Sequence, residues 1–477
     1  MQKCQKTLHL SKIKFTNRPP FVKIKNCMYD KTDNRNLSFE DFYLPFGGHL
    51  KGDNRWVTLA NEIDWDFIEE NYASLLAKSG MGAKALNARI IVGALIIKSR
   101  MNITDEETVQ SITENPYMQY FLGYEGYAEK APFSPSTLTR ARERLPADMI
   151  NEISKKIIGG KLKKKVDGGE FLLDREGEKH CGVLKIDGTC TPADINYPTD
   201  VKILNKVREI SEEFIDRFDL RDRNGRRIRT YRKKARKSFT QFSKNCKKNS
   251  RKEIRKQIKA QLAFIRRNLE NLARFLDVKT VFQMPRKELE KLSVIMKVFE
   301  QQKEMYEKKV HLCDNRIVSI SQPWIRPIKR GKAGADTEFG LKTTFCKVEG
   351  NVYVGKMSFD NYNEGDTLIE IIGNYYKDFN LYPTEVLADQ IYHNKKNMDY
   401  CKEHEIKFVG KKLGRKSGNE QRAREQRKEE YRAMCDRIEI EGCFGRGKRK
   451  FGLDKIKMKL KSTTMTHVAL IAMIMNL

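Results

Sequence analysis

The stretch "VLKIDGTCTPADINYPTD", residues 183–200, decides how the rest of the chain is read. Residues 183–187 alternate weakly and predict a strand that ends on Asp187, with the small residues Gly188 and Thr189 next. A charge carried into a core is costly unless it is paired or faces a cleft. "PTEVLADQ" repeats the pattern and ends its strand at Asp389. In an open α/β sheet, functional side chains gather beyond the carboxyl ends of strands. Two carboxylates brought close repel unless a cation sits between them. Neither "VLKI" nor "EVLA" holds a His or Cys. The ligands on offer are therefore oxygens, which suit Mg²⁺ or Mn²⁺ better than zinc.

Composition points to the partner. The chain has 477 residues, enough for two or three domains, and 39% of them are hydrophobic. Ninety-three Lys and Arg against 63 Asp and Glu leave a formal charge of +30. So large an excess repels itself, and a polyanion relieves it. Nucleic acid is the polyanion expected, since Lys and Arg release its counterions. The ten cysteines include no C-x-x-C pair, which excludes the zinc-finger spacings. The opening "MQKCQKTLHLSKIKF" has no apolar secretion-signal core, and "HVALIAMIMNL" is too short to span a bilayer. The expectation is a cytoplasmic protein with no membrane contact and with "HVALIAMIMNL" as a buried terminal helix.

Along the chain, residues 1–40 predict a polar, basic arm and 41–160 a helical DNA-binding domain. "ARIIVGALIIKSR" is apolar on most sides, as a helix buried in a bundle would be. Thr104 and Glu107 form a capping box. Ser134 and Pro135 predict the N-cap and first position of a helix that carries Arg140, Arg142 and Arg144. Such a short helix is a candidate for a DNA groove, with Arg140 and Arg144 as candidate contacts. Residues 161–182 read as a charged linker. Residues 200–310 read as a helical insertion: Ile254, Ile258, Leu262, Ile265, Leu269, Leu272 and Leu276 recur at helical steps, and Leu292, Phe299, Tyr306 and Val310 continue the stripe. Within it, residues 221–256 hold seventeen Lys and Arg and two acids, so Arg232, Lys233 and Lys234 are candidate phosphate contacts. "WIRPIKRGK", with Arg326 and Arg330, and "GKKLGRK", with Lys411 and Lys412, read as further basic loops.

After residue 310, strand signals at "EFGLKTTFCKV" and "NVYVGKMSFD" flank a Glu349-Gly350 turn. Alternating helices and strands follow. Residues 183–199 and 311–477 together predict one mixed sheet flanked by helices. A late helix from 420 offers Glu439 and Glu441. Arg437, Glu441 and Lys448 are spaced by four and seven residues, so a long enough helix stacks them on one face.

Asp187, Asp389 and the late Glu together resemble the ribonuclease H-like catalytic domain of the DDE transposases of bacterial insertion sequences. Further blocks carry the resemblance: "FYLPFGGHLKGDNRWVTLANEIDW", "ENPYMQYFLGY", "RIVSISQPWIRPIKRGKAGADTEFG", "FDNYNEGDTLIE", "VLADQIYHNKKNMDYCKEHEIKFVGKKLGR" and "RIEIEGCFGRGKRKFGLDKIKMKL". The resemblance implies a catalytic and metal-binding triad of Asp187, Asp389 and Glu441, with Arg437 and Lys448 as DNA contacts and Glu439 outside the signature. It implies two Mg²⁺ or Mn²⁺ ions per site, cleavage at transposon ends, and joining of the freed 3′-hydroxyl to target DNA. Its partners would be double-stranded DNA, as terminal inverted repeats and target, and a second copy of the chain to pair two ends. The signature Tyr position holds Met434, with Tyr431 one turn earlier. A nuclease that only cuts, and an inactive DNA-binding protein of the same fold, are the alternatives; a basic RNA-associated protein would explain the charge but not the aspartates. Gly188 and Thr189 are expected to leave room for a DNA strand, and His393 and His404 to be structural or solvent-facing.

Overall fold

The computed structural model describes residues 37–45, 47–76, 85–222, 224–245, 248–276, 283–332, 335–410 and 420–477. Most of the expected arm therefore lies outside the described residues. The chain divides into two compact units: residues 195–329, and a larger unit made from the chain on either side.

The larger unit begins with helices α1 (Arg55–Glu62), α2 (Trp65–Ser74), α3 (Ala88–Met101), α4 (Asp105–Glu114), α5 (Pro116–Phe121), α6 (Ser136–Arg144) and α7 (Ala147–Asp167). Helix α3 is apolar all round because α2, α4 and α6 surround it with two later helices. The Thr104–Glu107 capping box opens α4. At α6 the expected cap does not form. Pro135 precedes the helix, and the Ser134 hydroxyl instead meets those of Ser136 and Thr137. The expected linker is also different. Helix α7 continues to Asp167 because Ile158 and Leu162 pack into the sheet core while the intervening lysines face out. A small hairpin, β1 (Leu172–Leu173) and β2 (Lys179–His180), follows.

The main sheet comprises β3 (Val183–Pro192), β4 (Arg326–Lys332), β5 (Ala335–Val348), β6 (Asn351–Ser358), β7 (Glu385–Leu387) and β8 (Lys407–Val409). Its order is β4-β5-β3-β7-β8, with β6 also on β5. β3 is antiparallel to β5 and parallel to β7, so the sheet is mixed. "WIRPIKRGK" therefore contains a strand where a loop was expected: Arg326–Lys332 is β4. Between the strands lie α12 (Leu368–Phe379) and α13 (Lys395–Glu403); α14 (Glu420–Phe451) and α15 (Lys461–Ile474) close the chain. α15 is the buried helix expected from "HVALIAMIMNL". Glu349 and Gly350 both take positive φ in the β5–β6 turn, a conformation that Gly accepts without strain.

Alternation along β3 sorts its two faces. Leu184 and Ile186 point into a core built with Ile158, Leu162, Cys346, Ile371, Tyr375 and Tyr392. Val183, Lys185 and Asp187 take the other face, which α14 covers. At β6, Asn151 accepts from the Val354 N–H and donates to its carbonyl, each at 2.8 Å. Asn476 does the same for Val352 at 2.6 and 2.7 Å. Two side-chain amides thus take the place of a neighbouring strand and leave no open edge there.

The other unit contains α8 (Asp200–Arg217), α9 (Arg232–Lys244), α10 (Arg251–Phe275) and α11 (Arg286–Lys308). Its core joins Leu204, Val207, Leu262, Ile265, Leu272, Ile295 and Val298. The predicted stripe supplies much of this core. Its ends, Ile254 and Val310, are exposed.

Candidate active site and nucleic-acid surfaces

Asp187 does not end its strand. β3 runs five residues further because the long β5 pairs with it as far as Pro192; Asp187 lies opposite Phe345. On the other side, β7 stops at Leu387. Asp187 therefore has a strand on one flank only, as expected at the carboxyl end of a parallel pair. The β3–β7 register sets Lys185 opposite Leu387. Asp187 lies two residues beyond the last β3 partner of this pairing, and Asp389 two residues beyond the last β7 partner, where it opens a short 3-10 turn.

Helix α14 brings the other charges. It is one helix from Glu420 to Phe451, so Arg437, Glu441 and Lys448 do share a face. Arg437 joins the acids: Nη1 is 2.7 Å from Asp389 Oδ1, and Nη2 donates to Glu441 Oε1 at 3.2 Å. Burial alone would raise Asp389; the hydrogen bonds from Arg437 and the Gln390 N–H outweigh it and hold the carboxyl below its usual range. At Asp187 burial wins. Despite Arg437 and the Gly188 N–H, its carboxyl is pushed up to about 6, helped by the charges of Glu364 and Asp389. Glu439 is held elsewhere, by Lys185 at 2.9 Å and Lys347 at 3.2 Å. Arg432 adds an ion pair to Glu385 at 3.1 Å. Ion pairs thus join α14 to the sheet alongside the Phe345–Phe444 ring contact.

Among the described residues, no three His, Cys, Asp or Glu side chains stand close enough together to hold a metal ion. The Arg437 guanidinium lies between Asp389 and Glu441 and within the field of Asp187. The donors themselves are hard carboxylate oxygens gathered around a cation, which fits a hard divalent ion and not a soft one.

The sequence reading missed Glu364. Its carboxylate lies directly over Gly188: a Cβ placed there would come 2.3 Å from Oε2. The space at Gly188 is therefore filled by Glu364 and not left for a DNA strand, and Thr189 is buried. An acid just ahead of an amphipathic helix is ordinary helix-start chemistry, so nothing in the local sequence marks Glu364 out. Lys342 pairs with it at 3.0 Å. His393 stacks on Phe408 with ring centroids 4.0 Å apart, and His404 lies between Tyr382 and Tyr400; both serve packing. Met434 and Tyr431 are exposed on α14, and Tyr431 lies about a third of a turn around the helix from Arg437.

The other basic candidates differ in what their charge already does. On α6, Arg140 is exposed and Arg144 half-buried, whereas Arg142 is buried and grips Asp105 through two bonds of 2.8 and 2.6 Å. Burial would raise Asp105, but Arg142 and Lys98 hold it at about 2. On α9, Arg232 grips Asp216 at 2.7 and 2.6 Å, while Lys233 and Lys234 are exposed. Arg326 donates to the carbonyls of Pro323 and Ile325. Arg330 lies on β4, but its side chain, like Lys411 and Lys412, lies outside the described residues.

A mixed sheet flanked by helices, a helical N-terminal region and acids gathered beside the β3–β7 pair define a class of protein, and the comparisons with known proteins agree with it. Residues 386–477 match the family described as the transposase DDE domain, and residues 45–144 match the transposase domain DUF772. A Rhizobium meliloti protein described as uncharacterized, ORF8 in the nfe locus, is 30% identical over 154 residues, covering 32% of this chain and 69% of its own length. No solved structure matches the chain. The chain belongs to the DDE-type insertion-sequence transposases. Among the described residues, no helix is long and apolar enough to cross a membrane.

Proposed function

We propose that the chain is a DNA transposase whose ribonuclease H-like sheet carries the site Asp187, Asp389 and Glu441, and that it cuts at transposon ends and joins the 3′-hydroxyls to target DNA. The observation that supports this most is Arg437, which joins Asp389 to Glu441 and also lies in the field of Asp187. Asp187, Asp389 and Glu441 would hold Mg²⁺ or Mn²⁺ once Arg437 turns aside. A divalent ion so held polarises phosphoryl oxygens and lowers the pKa of an attacking hydroxyl.

The chain's own residues do the rest. Arg437, released from the acids, and Lys448 on the same helix face hold the scissile phosphate. Arg140 and Arg144 contact the terminal repeat from α6. Lys233 and Lys234 bind phosphates without sequence preference. Arg232 and Arg326 hold their own segments together and leave DNA contact to their neighbours. Two copies of the chain pair two ends.

The test is a strand-transfer assay with Mg²⁺ and linear DNA carrying the element's flanking ends. Joining that is abolished by Asp187→Asn, with DNA binding retained, is the expected result. Cleavage without joining identifies a nuclease, and binding without cleavage an inactive protein. Full activity in D187N would sink the site assignment.

A further inference from the structure

We propose that Lys185 and Lys347 form a phosphate subsite beside Asp187: Glu439 occupies it in the free protein, and a phosphodiester of bound DNA takes its place. The inference rests on the reading of Asp187 as part of a DNA-cutting centre and names a further contact of that centre with its substrate.

Three observations carry it. The first is register. Lys185 on β3 lies directly opposite Lys347 on β5. Opposite residues of an antiparallel pair put their side chains on one face, with Cβ atoms about 5 Å apart. Like charges so placed destabilise a sheet unless an anion joins them. Lys185 also shares its face with Asp187, two residues on, a rise of about 7 Å along the strand. A phosphate held by the lysines therefore lies next to the acid.

The second is an unequal count of charge. Glu439 meets both ammonium groups through one oxygen, Oε2, at 2.9 Å from Lys185 Nζ and 3.2 Å from Lys347 Nζ. Neither lysine pairs with another carboxylate among the described residues. One negative charge thus faces two positive ones. The lysine side chains are only 15% and 11% exposed, and buried charges are costly to leave unmatched. A phosphodiester carries the same single charge but offers two unesterified oxygens, one for each ammonium group.

The third is that the anion is the movable member. The Glu439 side chain is 55% exposed, whereas both lysines are rooted in paired strands. Helix α14 does not depend on Glu439 for its seat: Ile440 and Cys443 are buried, Phe444 packs on Phe345, and Arg437 holds Asp389. Glu439 can therefore turn into solvent while the helix stays docked. Its carboxylate stands in for the phosphate and blocks the subsite until DNA displaces it.

The experiment measures the affinity of the full-length protein for linear DNA carrying the element's flanking ends, in EDTA, by fluorescence anisotropy over a range of salt. Glu439→Gln removes the competing anion and should tighten binding by about three-fold. In a Lys185→Gln, Lys347→Gln background the same change should have no effect; a tightening that persists there is a general effect of net charge and overturns the subsite. Lys347→Gln alone leaves one lysine paired with Glu439, so it should keep the wild-type melt and flatten the slope of log K against log salt by about 0.9. It decides the matter if E439Q fails to fold, since a wild-type slope in K347Q overturns the proposal. An E439Q that binds DNA no more tightly than wild type overturns it too and leaves Glu439 as a link between helix and sheet. Inorganic phosphate, titrated against the melt without DNA, tests the other source of the same anion. Stabilisation that K347Q loses while its DNA binding is unchanged assigns the lysines to free phosphate and overturns the DNA contact. If wild type binds no DNA at all, the proposed function falls together with the subsite.

Discussion

Asp187 carries a charge that the fold disfavours. Burial raises its carboxyl to about 6, against about 3.9 for an unperturbed Asp. A raised carboxyl favours the neutral acid in the folded state. Its cost is therefore absent below pH 4, grows as pH rises through the window from 4 to 6, and is fully present above it. For a partly exposed group the cost is on the order of 2 kcal/mol. Asp187→Asn removes it. Metal-free D187N should therefore be more stable than wild type at pH 8 by denaturant unfolding, with the gap closing below pH 4. A variant that is less stable than wild type at pH 8 would show that the carboxylate is well solvated. The same residue that burdens the fold is the one on which the proposed chemistry depends, and a bound cation would relieve it.

At the scale of the element, α14 is the part that completes the site. Its face towards the sheet mixes charge with apolar packing: Arg432, Arg437 and Glu439 find partners on β7, the turn after it, β3 and β5, and Phe444 packs on Phe345 beside the buried Ile440 and Cys443. The charged part of this seam responds to ions. Arg437 is the cation at its centre. Arg437→Gln removes the competitor for Asp389 and Glu441. Mn²⁺ binding by the DNA-free variant should tighten by about five-fold, the equivalent of about 1 kcal/mol, while strand transfer falls. Unchanged Mn²⁺ affinity in calorimetry would mean that the guanidinium does not occupy the ion's place. α6 shows the complementary case. There Arg142 is committed to Asp105, so of the α6 arginines only Arg140 and Arg144 are candidates for the proposed DNA contact.

For the whole molecule, the excess of positive charge outweighs any single ion pair. A formal +30 favours association with a polyanion and makes that association depend on salt. The slope of log K against log salt falls by about 0.9 for each phosphate that the protein no longer neutralises. Replacing Lys233, Lys234 and the exposed Lys237 together by Gln should flatten it by about 2 to 3. Replacing Arg232, which is engaged with Asp216, should instead lower the melting temperature and leave the slope nearly unchanged. A triple variant with the wild-type slope would remove α9 from the DNA-binding surface.

The amino-acid order by itself determined the sheet's alternation, the helical stripe of 254–276, the capped start of α4, the apolar last helix and the two aspartates with matching strand contexts. These are local facts: periodicity, caps and turn residues act over a few residues and need no distant partner. Reading Asp187 as a strand end failed because β3 takes its length from β5, more than 140 residues away in the chain. The linker at 161–182 failed for the same kind of reason: Ile158 and Leu162 keep α7 going only because the sheet core receives them. Which charges are available was equally hidden. Arg140 and Arg142, or Arg232 and Lys233, look alike in sequence, and only the placement of Asp105 and Asp216 separates them. The insertion of Arg437 between the acids and the seat of Glu364 over Gly188 were decided by tertiary structure alone. They depend on strand register and on one helix's approach to the sheet, which long-range packing sets and no local pattern encodes.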